Sequence, residues 1–512
     1  MSPRQEDAKT KHLSKVLAHV KNKAPKKDVN NLLQFVPQYF STIAAEDFLE
    51  RSPLDLYGAV KSHWDFAQIR NSGTPSIRIF NPSQRKHGWK STHTIVEIVN
   101  DDMPFLVDST NLAVKKNGFA IHLTVHPVIH VKRDDRGNLI ELVKSDSQEK
   151  GVVRESLLHI EIDRDTEQKV LDDLGNELSK VLSDVRAAVT DWAATLDQAL
   201  SIRDHLAKHP PPVEESEITE ALNFIDWLIA NHFTFLGYRE YELITEKGED
   251  VLRAVADTGL GILRGSGTAP SKSFLVLPKD IRKQARSKEI LIITKANSVA
   301  TVHRSSYLDY IGIKKFDAAG EVIGEQRFLG LFTSSAYSRS PRDIPLLRQK
   351  VAQVMLRSGL SQNSHGGKAL LHILETFPRD ELFQASVDEL FYVAIGVQQL
   401  QERQRVKIFM RRDSFGRFFS CLIYVPRDRY TTLVRLQMQE ILKAELNGLS
   451  VESTALISES TLARVHIIVR TTPWKFPKMN MRKLQAKIEA VVRSWQDELK
   501  DAAIARFGEE RG

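Results

Sequence analysis

The feature that most constrains this chain is one order of elements that occurs twice, near either end. In the first occurrence, Ser76 to Phe80 and Thr94 to Asn100 predict strands separated by the turn residues Asn81 and Pro82. Asp101 and Asp102 are good capping residues and Pro104 suits a first helical turn, so a helix follows, with Phe105, Ser109, Leu112 and Ala113 on one face. Asn117-Gly118 ends it. Ile121, Leu123, Val125, Ile129 and Val131 then alternate with His122, Thr124, His126, Val128 and His130, the period of two of a half-buried strand. Asp134 to Asn138 form a hairpin turn into Leu139 to Val143; Leu158, Ile160 and Ile162 mark a further strand, and a helix is expected from about Thr166 to Trp192.

The second occurrence starts with Val406, Ile408 and Met410, turns at Asp413-Ser414-Phe415-Gly416, and returns through Phe419, Cys421, Ile423 and Val425. Pro426-Arg427-Asp428 is read as opening a helix with a stripe of Val434, Met438, Ile441 and Leu442, and Asn447-Gly448 as closing it. Strands around Val451–Ile457 and Ala463–Val469 follow, then a polar helix from about Met481 to Phe507. Two such units, each with both helices on one face of a sheet, predict an α+β protein with two ferredoxin-like modules. Between them lie a Pro-rich break at His209 to Pro212, a strand-rich central domain with strands at Ile290–Thr294, Val299–His303, Tyr310–Phe316 and Gln326–Phe332, and a helical connector. The expected boundaries are a basic flexible tail (1–30), the first module with preceding helices (31–192), a linker (193–216), the central domain (217–340), the connector (341–404), the second module (405–475) and a helix leading to an absent downstream region (476–512).

With 512 residues, the chain exceeds one compact core. It has no apolar run long enough for a membrane span and no secretory signal core. Its lone Cys421 can form no internal disulfide, which fits a reducing, cytoplasmic setting. The net charge is +7, but residues 1–27 hold eight Lys/Arg against two Asp/Glu, or +6, leaving +1 for the rest. The excess is therefore a local tail and not the basic face of a nucleic-acid binder.

Motifs for common chemistries fail on spacing. Gly259-Leu260-Gly261-Ile262-Leu263-Arg264-Gly265 displaces the third glycine of a dinucleotide loop by one residue. Around Gly366-Gly367-Lys368, Gln362 stands where a phosphate loop needs its first glycine and Ala369 where it needs Ser/Thr, so a tight loop between helices is expected. His122, His126 and His130 share a strand face, but residues four apart on a strand are separated by about 13 Å, too far to share one ion. No catalytic, cofactor-binding or metal residue is thereby identified. What survives is the strand-to-helix turn in each unit. Backbone N–H groups at a helix start can hold a carboxylate, making Asp101, Asp102, Met103 and Phe105, with Arg427 and Asp428 in the second copy, candidate effector-binding residues. Simple helix capping is the alternative.

The run from Phe105 to Ile140 resembles the amino-terminal region of the large bacterial NAD-specific glutamate dehydrogenases. So do Glu155–Arg164, Phe233–Glu242, Val302–Asp317, Phe328–Ser338, Pro345–Lys350 and Leu390–Arg403, in order along most of the chain. The resemblance implies ACT-like regulatory modules that bind a free amino acid and join subunits, in a homo-oligomeric parent that oxidises L-glutamate with NAD. It further implies that the catalytic domain lies further along a longer polypeptide, so that this chain alone is inactive and holds no cofactor. A self-standing ACT-type amino-acid-binding regulator is the alternative.

Overall fold

The computed structural model describes residues 3–143, 149–265, 267, 268, 271, 274, 278, 282, 284–400, 403, 405–458, 460–493, 504 and 506. They divide into two compact units, one of residues 1–192 with 260–262 and 299–306, the other of the remainder.

The first unit begins with four helices, α1 (Pro3–Lys23), α2 (Val29–Tyr39), α3 (Ala45–Leu49) and α4 (Pro53–Phe66). Next come β1 (Ser76–Phe80), the short α5 (Gln84–His87), β2 (Thr94–Asp101) and α6 (Leu106–Lys116). Strands β3 (Ile121–Val125), β4 (Val128–Arg133), β5 (Leu139–Val143) and β6 (Val152–Ile162) lead to α7 (Gln168–Thr190). The sheet runs β1-β2-β6-β4-β5, with β3 also on β6. The long strand expected over 121–131 is broken at His126-Pro127, because proline cannot donate to the ladder. Its halves pair with successive stretches of β6, Val125 opposite His159 and Val128 opposite Ser156. A two-residue strand, β9 (Leu260–Gly261), also belongs to this unit, and its Gly261 N–H donates to Asp191 Oδ2 at 2.7 Å.

The basic start is not a flexible tail. Leu13, Val16, Leu17 and Val20 recur at helical spacing, and Val16 and Val20 are fully buried among Phe35, Tyr39, Val60 and Trp64. The apolar stripe decides the conformation, while the lysines ride on its outer face. The same core takes in Val99, Leu123, Val125, Ile129, Val131 and Leu157 from the sheet, so the α1–α4 layer covers one sheet face. Helices α6 and α7 pack against each other beside β1 and β3.

The second unit opens with α8 (Trp192–Lys208, from Ala193 onward) and α9 (Glu215–Trp227). The expected linker is thus helical to Lys208, with Thr195, Ala199, Ile202 and Leu206 buried along one stripe. Strands β7 (Phe233–Glu246), β8 (Glu249–Ala254), β10 (Leu291–Val299), β11 (Tyr307–Phe316) and β12 (Val322–Phe332) form an antiparallel sheet ordered β10-β11-β12-β7-β8. Of residues 299–303, expected as a strand, only Val299 stays in the sheet, and the rest leave it for a bend with His303 at φ 75°. The connector comprises α10 (Ser334–Ser338), α11 (Leu347–Ser358), α12 (His365–Thr376), α13 (Arg379–Gln384) and α14 (Val387–Gln398). Gly366 and Gly367 lie in the first turn of α12 and not in a loop: Ser364 Oγ accepts from the Gly367 N–H, and a Cβ on Gly367 would fall 2.0 Å from the Ser361 carbonyl oxygen.

Strands β13 (Lys407–Arg412), β14 (Phe418–Pro426), β15 (Gly448–Leu456) and β16 (Leu462–Thr471), with α15 (Thr432–Glu445) and α16 (Met481–Val492), make the second module. Its order is β13-β14-β16-β15, and Cys421, Ile423, Val465 and Ile467 pack against Met438, Leu442, Leu484 and Ile488 of the helices. Both modules share one plan. The strand-helix-strand-strand-helix core of a ferredoxin-like fold is preceded by a hairpin strand, β1 or β13, at the edge position its last strand would fill.

Candidate functional site

Every residue of β2 before Asp101 is buried, so both faces of the first sheet are covered. On β6, Leu158, Ile160 and Ile162 form one face, as their alternation predicts, and Glu155, Leu157, His159 and Glu161 form the other. On an uncovered sheet the second set would face solvent. The α1–α4 layer covers it instead, which forces the charged groups into internal pairs.

At one end of this face lies the first strand-to-helix turn. Arg70 Nη2 donates to Asp101 Oδ1 at 2.6 Å and to Glu155 Oε1 at 2.7 Å. Arg133 adds Nε and Nη2 bonds to Glu155 at 2.6 and 2.7 Å. Arg186 of α7 bonds Asp101 Oδ2 and Asn100 Oδ1, both at 2.6 Å. Burial opposes ionisation of Asp101, but the bonds from Arg186 and Arg70 prevail and hold its carboxyl below the usual range. Asp102 accepts from Ser156 Oγ at 2.6 Å and pairs with Arg154 at 2.6 Å. Neither aspartate caps the helix, contrary to the sequence expectation: α6 starts at Leu106, and its cap is Phe105, held at φ 71° with its ring 5.2 Å from that of His303. Met103 and Pro104 span the turn between them. The Ser109 hydroxyl accepts from the His303 N–H at 3.0 Å.

The other end of the face carries a second cluster. Arg78 pairs with Glu97, Arg51 with Glu161 at 2.7 Å, and His159 lies between the two glutamates, 3.6 Å from Glu97 and 3.7 Å from Glu161. Burial works to lower the His159 pKa, yet bonds and charge from Glu161 and Glu97 raise it to about 9. Both carboxyls sit at about 2: burial pulls them up, His63 and His159 pull Glu97 down, and His159 and Arg51 pull Glu161 down. His63, whose Nδ1 is 2.9 Å from the Tyr39 hydroxyl, is pushed by burial to about 4. Ligand atoms of His63, Glu97 and His159 lie within 4.8 Å of one another, a set that could be taken for a metal centre. The two arginines already balance the two glutamates, so a dication here would add buried positive charge with no counterpart. The arrangement is that of an ion-pair network.

In the second module the candidate residues do not start the helix. Arg427–Arg429 form one 3-10 turn, and α15 begins at Thr432 with Thr431 Oγ1 accepting from the Val434 N–H. The Arg427 N–H donates to the Thr461 carbonyl at 2.9 Å and its guanidinium to that of Ser458 at 3.1 Å. The structure therefore brings together Asp101, Asp102 and Phe105 at one turn, and Arg427 with Asp428 at another. The arginine frame of Arg70, Arg133, Arg154 and Arg186 is not visible in the sequence, because its members come from the α4–β1 connection, β4, β6 and α7.

Residues 35–178 match the glutamate dehydrogenase ACT1 domain, residues 344–403 its helical motif 1, and residues 407–496 its ACT2 domain. The chain belongs to the large bacterial NAD-specific glutamate dehydrogenase family. The NAD-specific glutamate dehydrogenase of Halomonas elongata is 36% identical over 508 residues, 99% of this chain and 32% of that protein. That of Pseudomonas aeruginosa is 39% identical over 480 residues, 93% of this chain and 30% of the relative. The Mycobacterium tuberculosis protein of the same name is 27% identical over 461 residues, 87% of this chain and 27% of the relative. The chain thus spans about a third of the length of these glutamate dehydrogenases. Among the described residues, no helix is long and apolar enough to cross a membrane.

Proposed function

We propose that this chain is the regulatory and assembly segment of a cytoplasmic, homo-oligomeric NAD-dependent glutamate dehydrogenase. The whole protein would convert L-glutamate, NAD and water to 2-oxoglutarate, ammonium and NADH, with hydride transfer carried outside these domains. The observation that carries this reading is the pair of topologically equivalent ACT modules flanking the helical motif. Such modules act by linkage: a ligand that binds one arrangement of a module better than another shifts a distant site by that difference.

The turn at Asp101–Phe105 is the proposed effector contact. Asp101 and Asp102 serve to fix its backbone through their arginines, leaving the start of α6 as the anion-facing element. Arg427 and Asp428 mark the corresponding turn of the second module. The purified chain should form no NADH from L-glutamate and NAD; turnover by a pure preparation would overturn the assignment. A thermal-shift screen with the twenty amino acids should give stabilisation by at least one, altered in Asp102→Ala without loss of helical content. A flat response to all twenty would make the modules structural.

A further inference from the structure

Residues 300–306 connect β10, which ends at Val299, to β11, which starts at Tyr307, yet they belong to the first compact unit. The Ala300 N–H donates to the Ser306 carbonyl at 2.8 Å, closing them into a loop, and Ala300 and Val302 are buried. Two helices of that unit grip the loop. Thr301 Oγ1 donates to Asp184 Oδ2 of α7 at 2.8 Å. On α6, the Ser109 hydroxyl accepts from the His303 N–H at 3.0 Å, Asp108 Oδ2 lies 3.5 Å from His303 Nδ1, and the ring of the cap residue Phe105 stands 5.2 Å from the imidazole. These contacts all fall on the cap and first turn of the helix. That turn carries N–H groups that no earlier carbonyl of the helix can take. Phe105 and His303, which face each other across the contact, are both held at positive φ, 71° and 75°. An L residue keeps such a backbone only where its surroundings impose it, so parting the two lets both relax. Strain on both sides of one contact makes it a two-state element, docked or released, and not a graded hinge.

We propose that residues 300–306 form a latch over the β2–α6 turn, docked in this structure through Thr301 and His303, which a ligand must release to reach the first turn of α6. The proposal rests on the reading of that turn as the effector contact and deepens it. The ligand's affinity is reduced by the cost of undocking, and by linkage the bound ligand holds the latch open. Because the loop runs directly into β10 and β11, its release is passed to those strands through the chain itself.

Hydrogen exchange of the full chain tests the latch without any ligand. Ser109→Ala removes the acceptor on α6 and should speed exchange in residues 300–306 roughly three- to tenfold, the loss of one hydrogen bond. Thr301→Val removes the bond to Asp184 and should speed exchange in residues 105–109 by a similar factor, with β6 unchanged in both variants. Unchanged exchange across the contact in either variant, or an equal rise in β6, would overturn the latch. A titration separates it from the effector reading. With each of the twenty amino acids as probe, Thr301→Val and His303→Gly should bind whichever stabilises the wild type roughly threefold or more tightly. Glycine keeps the φ of 75° without strain while losing the ring. Equal affinity in wild type and variants would overturn the latch and leave an effector at the turn. No response in any of the three would sink the effector reading alone, since the exchange coupling needs no ligand.

Discussion

The cluster around His159 makes a prediction with a sign and a size. In the folded chain His159 titrates at about 9 against an ordinary value of 6.5, so the native state holds its proton more tightly than the unfolded one. Stability from this group is therefore complete below pH 6.5 and is lost as pH rises through 9. At 1.36 kcal/mol per pH unit the loss is about 3 kcal/mol. His63 acts in the opposite direction: with its pKa brought down to about 4, it favours the fold above pH 6.5 and weakens it as pH falls toward 4. The groups facing this pair are Glu97, Glu161, Arg51, Arg78 and Tyr39, and His93 Nδ1 lies 3.2 Å from Glu161 Oε2 on the far side of that carboxylate. Hydrogen exchange of peptides spanning β6, corrected for the intrinsic pH dependence of exchange, reads the opening equilibrium of this sheet in the intact protein. Protection should fall by a factor of roughly eighty between pH 6.5 and pH 9 through this group. His159→Gln should start less protected and show a much flatter profile. Parallel profiles for wild type and His159→Gln would refute the imidazolium assignment, and with it the argument that the two glutamates are shared by three cations.

Other perturbations separate the roles of the remaining parts. Glu155→Gln removes the carboxylate that Arg70 and Arg133 share inside the first unit, and should cost roughly 3–5 kcal/mol, seen as a lowered melting temperature. Val20→Asp places a charge in the α1–α4 core and should release α1, so that limited proteolysis cleaves within residues 3–23 in the variant and not in wild type. Gly367→Ala drives a Cβ into the Ser361 carbonyl and should destabilise the connector by roughly 1–3 kcal/mol in thermal melting, with little effect on exchange in β6.

How much of this was legible in the sequence differs from element to element. The repeated order of strands and helices is the architecture of both modules, because alternation and turn residues are local signals and β13, β14 and β16 obey them. The helical start was legible but outweighed: Leu13, Val16, Leu17 and Val20 carry the stripe, and the surrounding lysines masked it. The turn at Asp101 was located correctly, but its chemistry was not, because helix capping is a local rule and the arginines that claim Asp101 and Asp102 come from distant residues. Glu97, His159 and Glu161 could not be recognised as buried. Period-two alternation tells which residues share a face and is silent on whether a second layer will cover it.

Replacement of the last ferredoxin-like strand by a leading one has a mechanical consequence. Each module ends in a helix and not in a strand stitched into its own sheet, so the closing element is held by packing and not by a ladder, α7 against α6, β1 and β9. Helix α7 has 23 residues and extends roughly 34 Å. A tilt of about 5° around Arg186, where it grips Asp101 and Asn100, would carry Gln168, roughly 27 Å away, on the order of 2 Å. Any rearrangement at the β2–α6 turn that tilted α7 would therefore be passed along the helix to its neighbours α6, β1 and β9.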